Sequence, residues 1–358
     1  MSAATLIDGK RVVICAGSGG VGKTTTSAAL ALGVAQRGAK VAVVTIDPAR
    51  RLAGALGLEE LGNEPRLIDP GVLDGVELAG ELWAMMLDPK RTFDDLIDAV
   101  APSPERATEI KDNRIYRQLS TAVAGSQEFT AVSKLYELSE SGHFDVIVLD
   151  TPPSRNALDF LDAPARLESF LEGRAMQAFL KPTGIGMRFF QIGTAPLFGA
   201  LRRVTGIDVL SDLTAFFTLL GGMTDSFRGR ARQVDALLHS PDTAFLVITS
   251  PQPQPIEEAI WFRRTLEQSG LPFAGAIVNR VHPALVHTDP EATAELPGPL
   301  AEKVAATVAE YEVLATRDAE GIKHLRAALS VPVLVVPELD GDVNDVHGLL
   351  RMRETLFA

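Results

Sequence analysis

The chain has 358 residues, 46% of them hydrophobic and 22% charged, a balance that excludes a disordered or low-complexity protein. At roughly 150 residues per domain it is long enough for two domains or one large α/β unit, and it can bury a core without disulfide or metal staples. Its 34 basic and 46 acidic side chains leave a net charge of −12, the wrong sign for a protein that tracks phosphate backbones, so nucleic acid is not an expected partner.

The single cysteine, Cys15, excludes an internal disulfide and any CxxC zinc or redox motif, and one thiol fits a reducing compartment. The N-terminal apolar run is too short for a secretory segment. No window approaches the roughly 18 consecutive apolar residues of a membrane span, and the uncharged stretch Leu213–Met223 is far shorter. A cytoplasmic protein is expected, with a peripheral position at a membrane as an extension of that reading.

In chain order, the first strand-like run is Val12–Ala16. It enters Gly17-Ser18-Gly19-Gly20-Val21-Gly22-Lys23-Thr24, which satisfies GxxxxGK[ST], and an alanine-rich helical stretch, Thr25–Gln36, leaves it. Glycines let such a loop curl so that successive N–H groups point at phosphate oxygens, with the positive end of the helix dipole behind them. Lys23 is placed to reach the β/γ-phosphates and the Thr24 hydroxyl to bind Mg²⁺. Gly19, Gly20, Val21, Gly22, Lys23, Thr24 and Thr25 are therefore the candidate residues for ATP, with Mg²⁺ as its companion.

The second strand, Val41–Ile46, ends at Asp47, a candidate to orient or deprotonate an attacking water. Residues from about 90 to 142 read as helices, with Phe93, Leu96, Ile97 and Val100 at i, i+3, i+4, i+7 spacing. Strand Val146–Leu149 then carries Asp150 at its tip, placed to hold the metal through its water shell. Carboxylates at the C-terminal ends of parallel strands converge on the ligand crevice.

Residues from about 160 to 235 interrupt the alternation. Nine of the 16 phenylalanines fall between Phe160 and Phe227, with Met176, Met187 and Met223, and with Arg188, Arg202, Arg203, Arg228 and Arg230 among them. Two readings stand: helices whose apolar faces pack on a sheet, or an adaptable apolar surface for a hydrophobic client or a membrane. Beyond it come strand Ala244–Thr249, a PQPQP loop at 251–255, helix Ile256–Ser269, strand Ala274–Asn279, helix Pro299–Tyr311 and strand Val333–Val336. The six histidines show no ligand spacing. Short, nearly continuous β-branched runs alternating with helices predict an α/β fold. The expected architecture is a P-loop NTPase with a doubly wound, mostly parallel sheet flanked by helices. We expect one domain over 1–358, with helical inserts at about 90–142 and 160–235.

Three segments, SGGVGKTTTSAALAL, TIDPARRLAGALG and VIVLDTPPSRNALDFLDAP, resemble the phosphate loop, switch I and switch II of the ArsA-type ATPases. That family includes arsenite-pump ATPases and ATPases that target tail-anchored membrane proteins. LVITSPQPQPIEEAIWFRRTLEQSGLPFAGAIVNRV resembles the family's strand, helix and adenine-side asparagine, here Asn279. PVLVVPELDGDVNDVHGLL resembles its C-terminal adenine loop, with Pro337, Asp345 and Gly348 at matching positions. The resemblance implies an ATP-hydrolysing switch whose two nucleotide sites face each other across a dimer, coupled to a hydrophobic protein or membrane-protein cargo.

The chain also departs from the family. Ser18 stands where the family's loop carries a lysine that reaches the partner's phosphates, Arg50 replaces the switch I histidine, and Ser154-Arg155-Asn156 replaces a switch II threonine-glycine-histidine. Loss of a cation acting in trans can cost about 10³–10⁵ in rate. Two functions are therefore expected to compete: an ATPase, or a nucleotide-sensing subunit with little hydrolysis of its own. The missing charge would come from a paralogous chain in a heterodimer, or from Arg50 or Arg155 in a homodimer.

Overall fold

The computed structural model describes residues 2–47, 51–73, 76–114, 116–117, 126–152, 216, 219, 223–284, 298–339, 341, 343 and 345–358. These divide into two compact units, one drawn from Met1–Met86, Ser141–Ala157 and His239–Ala358, the other from Leu87–Glu140 and Leu158–Leu238.

In the first unit, a short helix α1 (Ala3–Ile7) precedes β1 (Val12–Ala16), and α2 (Lys23–Gln36) leads to β2 (Lys40–Thr45). After α3 (Arg51–Ala55) come β3 (Arg66–Leu67) and β4 (Glu81–Met86), and the chain returns to this unit with β5 (Val146–Asp150). Among the described residues eight strands form one sheet of order β3-β4-β2-β5-β1-β6-β7-β8, with β6 at Thr243–Thr249, β7 at Phe273–Val281 and β8 at Val333–Pro337. All neighbours run parallel except the β3–β4 pair. Every residue of β1 and β6 is buried, the condition that nearly continuous apolar runs meet in a sheet covered on both faces. The sheet is the mostly parallel α/β arrangement expected.

Two strands had no signal in the sequence. β3 has two residues, and β4 reads ELWAMM, without the β-branched run that marks the others. β4 pairs with β2 from Lys40↔Glu81 to Thr45↔Met86, so tertiary pairing makes it a strand.

Two helices also differ from expectation. Part of the PQPQP stretch is helical: α8 spans Pro253–Gln268, because proline is tolerated in the first turn, where its missing N–H has no intrahelical partner. The helix expected over Pro299–Tyr311 is α9, Gly298–Leu329, 32 residues long. Gly321 does not stop it. A Cβ there would lie 2.7 Å from the Pro251 carbonyl oxygen, so the glycine serves close packing instead. Between β7 and β8, α9 presents the fully buried Asp318, which accepts from the His282 N–H at 3.0 Å and meets the His282 ring at 2.7 Å and Arg317 at 2.9 Å. Burial alone would raise this carboxyl, but together these bonds outweigh it and hold Asp318 below the usual carboxylate range. The last helix, α10 (Val346–Phe357), is capped by Asp345, whose carboxylate accepts from Gly348 N–H at 2.8 Å.

The described residues of the second unit include four helices: α4 (Pro89–Val100), α5 (Pro104–Asp112), α6 (Ser126–Glu140) and α7 (Thr224–Leu238). Asp88 caps α4 by accepting from Arg91 N–H at 2.7 Å. The stripe read from the sequence is its inner face, with Leu96, Ile97 and Val100 in a core beside Ile110, Tyr116 and Phe227, and Phe93 stacked on Tyr116. Most of the phenylalanine-rich stretch, and with it both readings of that stretch, lies outside the described residues. Among the described residues no helix is long and apolar enough to cross a membrane.

Phe245 of β6 pairs with Ile14 of β1 and is fully buried. Phe245→Ala should therefore cost about 3–5 kcal/mol in urea unfolding. A loss below about 1 kcal/mol would place the core elsewhere.

Candidate functional site

The strand order reverses at β1, whose neighbours are β5 and β6, and the loop Gly17–Gly22 leaves the C-terminal end of β1 at that crevice. Two glycines are obligatory for different reasons. At Gly17 a Cβ would sit 1.9 Å from the Ile248 carbonyl oxygen of β6, which no rearrangement of side chains can relieve. Gly22, the residue capping α2, is left-handed at φ 89°, and a Cβ there would lie 2.4 Å from Nδ2 of Asn279. Gly19 and Gly20 are exposed and Val21 is buried.

Lys23 and Thr24, the first two residues of α2, are both buried. The Lys23 ammonium donates to the Ser18 carbonyl at 2.8 Å. Burial pulls its pKa down, while Asp150 and then Asp47 act in the opposite direction. Thr24 donates its hydroxyl to Asp150 Oδ2 at 2.7 Å, and Thr45, at the end of β2, donates to the same oxygen at 2.9 Å. The other oxygen, Asp150 Oδ1, is buried with no hydrogen-bond partner. Burial pushes the Asp150 carboxyl up to about 6, against the pull of Thr24, Thr45 and Lys23.

Asp47 stands just beyond β2, its N–H donating to Thr45 Oγ1 at 3.2 Å and its carboxylate 3.6 Å from Arg51. Thr45 thus supports both aspartates, and sequence reasoning missed it. The TxD spacing, in which a hydroxyl precedes the carboxylate by two residues, was the available signal.

Asn279 near the end of β7 donates from Nδ2 to the Val21 carbonyl at 3.0 Å and accepts from Arg280 N–H at 2.9 Å. It lines a cavity of 320 Å³ with Gly22, Thr25, Arg280, Pro337 and Met352. Asn279, Pro337, Gly22 and Thr25 thus come together, beside the Lys23–Thr24–Asp150 cluster. Ser18 is buried, and its hydroxyl donates to Glu258 Oε2 of α8 at 2.5 Å, while Gln254 donates to Oε1 at 3.1 Å. Glu258 is a second residue that sequence reasoning missed. Arg50, Ser154, Arg155 and Asn156 lie outside the described residues. Cys15 is buried beneath the loop, and burial pushes its thiol up to about 12, which leaves it unreactive.

This arrangement can hold a polyphosphate and a divalent cation. Gly17 and Gly22 let the loop follow a path that side chains would block, and Lys23 supplies positive charge. The partnerless buried oxygen of Asp150, beside the Thr24 hydroxyl, is the donor pair that a hard cation takes.

The sequence matches the ArsA ATPase family, described as anion-transporting ATPase, over residues 10–296. The chain belongs to the ArsA ATPase family. Curated relatives include ATPase get3 of Schizosaccharomyces japonicus, 28% identical over 237 residues, which cover 66% of this chain and 64% of that protein. ATPase get3 of Aspergillus terreus is 33% identical over 164 residues, 45% of each chain, and ATPase GET3 of Chaetomium globosum is 32% identical over 161 residues, again 45% of each. The matched part of this ArsA-family chain therefore spans between about half and two thirds of those relatives. The glycine-rich loop, Asp47, Asp150 and Asn279 fall inside the family match, and Pro337 lies beyond it.

The raised Asp150 pKa has a measurable sign. Between the ordinary value of 3.8 and about 6 the folded chain holds a proton that the unfolded chain has lost. This group's contribution to stability is thus present at low pH and lost as pH rises through about 6. In urea unfolding without nucleotide or metal, wild type should lose roughly 2 kcal/mol relative to Asp150→Asn between about pH 4.5 and 7.5. A difference between the two proteins that does not change with pH would contradict the burial of this carboxylate.

Proposed function

We propose that this chain is a magnesium-dependent ATP-binding and ATP-hydrolysing switch. The observation that carries the reading is Asp150, held by Thr24 and Thr45 through one oxygen and left with the other buried and partnerless beside Lys23. In this reading the N–H groups of Gly19 to Thr25 and the Lys23 ammonium bind the phosphates. Thr24 and Asp150 hold Mg²⁺, Asp150 through water. The metal, when bound, adds positive charge against the phosphates. Asp47 orients the attacking water and accepts its proton, with Arg51 steadying the carboxylate. Asn279 and Pro337 border the cavity that takes the base.

Family membership and the resemblance at the switch segments support an ATPase that works as a dimer, a homodimer or one with a paralogous chain. They also support coupling of nucleotide state to a hydrophobic protein or membrane-protein cargo. The net charge of −12 speaks against nucleic acid. A cytoplasmic place, peripheral to the membrane that receives the cargo, goes with this function.

A specific observation favours a second reading. Ser18 has no cation to offer a partner, and its hydroxyl is tied to Glu258 of its own chain. A subunit that binds ATP but turns it over slowly, working with a lysine-bearing paralogue, would look like this.

Phosphate release from Mg-ATP by the purified chain, alone and with candidate paralogues, separates the two readings. Lys23→Ala should abolish binding and turnover together. Asp47→Asn should keep binding but lower turnover by about 100-fold or more. Undiminished turnover in Asp47→Asn would remove this residue from the mechanism.

The dimer is checked by mass measurement at micromolar concentration. A particle of twice the chain mass with a non-hydrolysable ATP analogue is expected. A monomer with and without the analogue would defeat that part of the proposal.

A further inference from the structure

Arg280 is one of two described non-glycine residues at positive φ, at 59°. L-residues disfavour this left-handed region, and departures of this kind cluster at functional sites. It coincides with an irregularity in the sheet, since the β7–β8 register shifts between Val278 and Val281. Such irregularities re-aim a side chain out of the strand's alternation. Here the Arg280 guanidinium is aimed at the phosphate loop, donating from Nη1 to the Gly20 carbonyl at 3.1 Å. Beside it, Asn279 Oδ1 accepts the Arg280 N–H at 2.9 Å, while Asn279 Nδ2 donates to the Val21 carbonyl at 3.0 Å.

Two adjacent residues of β7 thus hold two consecutive carbonyls of the loop. A trans peptide is planar, and its C=O and the following N–H point in opposite directions. Drawing the Gly20 and Val21 carbonyls toward β7 therefore turns the N–H groups of Val21 and Gly22 together away from it. Successive N–H groups sharing one direction are what makes a loop an anion nest.

We propose that Arg280, acting with Asn279, is a positioning residue that presets the phosphate nest for a nucleoside di- or triphosphate. The proposal deepens the nucleotide-binding reading above and rests on it. It gives Asn279 a loop-holding role beyond bordering the base cavity, and it accounts for a strained arginine on β7. The strain is maintained because the guanidinium fixes a loop that its glycines would otherwise leave free to reorient.

The test is ADP affinity by calorimetry for wild type, Arg280→Gly, Arg280→Ala and Arg280→Lys, with the thermal midpoint of each protein recorded without nucleotide. Glycine suits φ 59°, so Arg280→Gly should melt no lower than wild type. Arg280→Gly and Arg280→Ala should nonetheless bind ADP about tenfold more weakly, the scale of one lost charge-assisted hydrogen bond. Arg280→Lys, which keeps a cationic donor, should recover most of that loss. ADP affinity in Arg280→Gly and Arg280→Ala within about twofold of wild type would overturn the proposal. So would a matching fall in the nucleotide-free midpoint of Arg280→Gly, which would mark a folding defect. A wild-type chain that binds no ADP would bring down the nucleotide-binding reading itself, a different failure.

Discussion

One buried carboxylate oxygen organises the site. Asp150 Oδ2 at the tip of β5 accepts from Thr24, at the start of α2, and from Thr45, at the end of β2. Three segments distant in sequence are thereby fixed at one point, and each carries a functional group: Lys23 follows the loop, Asp47 follows β2, and Asp150 is itself the candidate metal holder. An ionised carboxylate in such a place is costly without compensation. Two hydroxyls and the nearby Lys23 ammonium offset part of that cost, yet burial still raises the Asp150 pKa. A cation would supply what the protein alone does not, and this links the burial of Asp150 to its proposed function.

The strand order makes this convergence possible. Because β1 lies between β5 and β6, the loop leaving it has Asp150 on one flank and the Ile248 backbone on the other. The Ile248 carbonyl leaves room only for glycine at position 17. One strand further, β7 reaches the loop with Asn279 and Arg280. The glycine-rich loop is therefore shaped by the backbone of β6 and by side chains of β5 and β7, as well as by its own glycines.

Much of this was legible in the sequence because local chemistry demanded it. GxxxxGK[ST] between an apolar strand and an alanine-rich helix rarely arises except as a phosphate loop, and strands buried on both faces announce themselves as β-branched runs. β4 was not legible, because leucine, alanine and methionine suit a helix equally and only pairing with β2 decides the matter. The length of α9 was not legible either: the expected helix stopped at Tyr311, whereas the structure carries it on to Leu329. Contacts between distant residues were the least accessible. Ser18 and Glu258 are 240 residues apart, and Arg280 and Gly20 are 260 apart. Arginine at position 280 gives no signal of a left-handed backbone. The ArsA-family resemblance pointed to the substitution at Ser18, but only the fold shows that a carboxylate now occupies its hydroxyl.

The central claim is that the Lys23–Thr24–Asp150 cluster is a site for a nucleotide and its metal. Calorimetric titration of the wild-type chain with ADP, in magnesium and in excess chelator, tests it most directly. Saturable binding of one nucleotide per chain, tighter in magnesium, is the predicted result. No binding in either condition, or the same affinity with and without the metal, would contradict it.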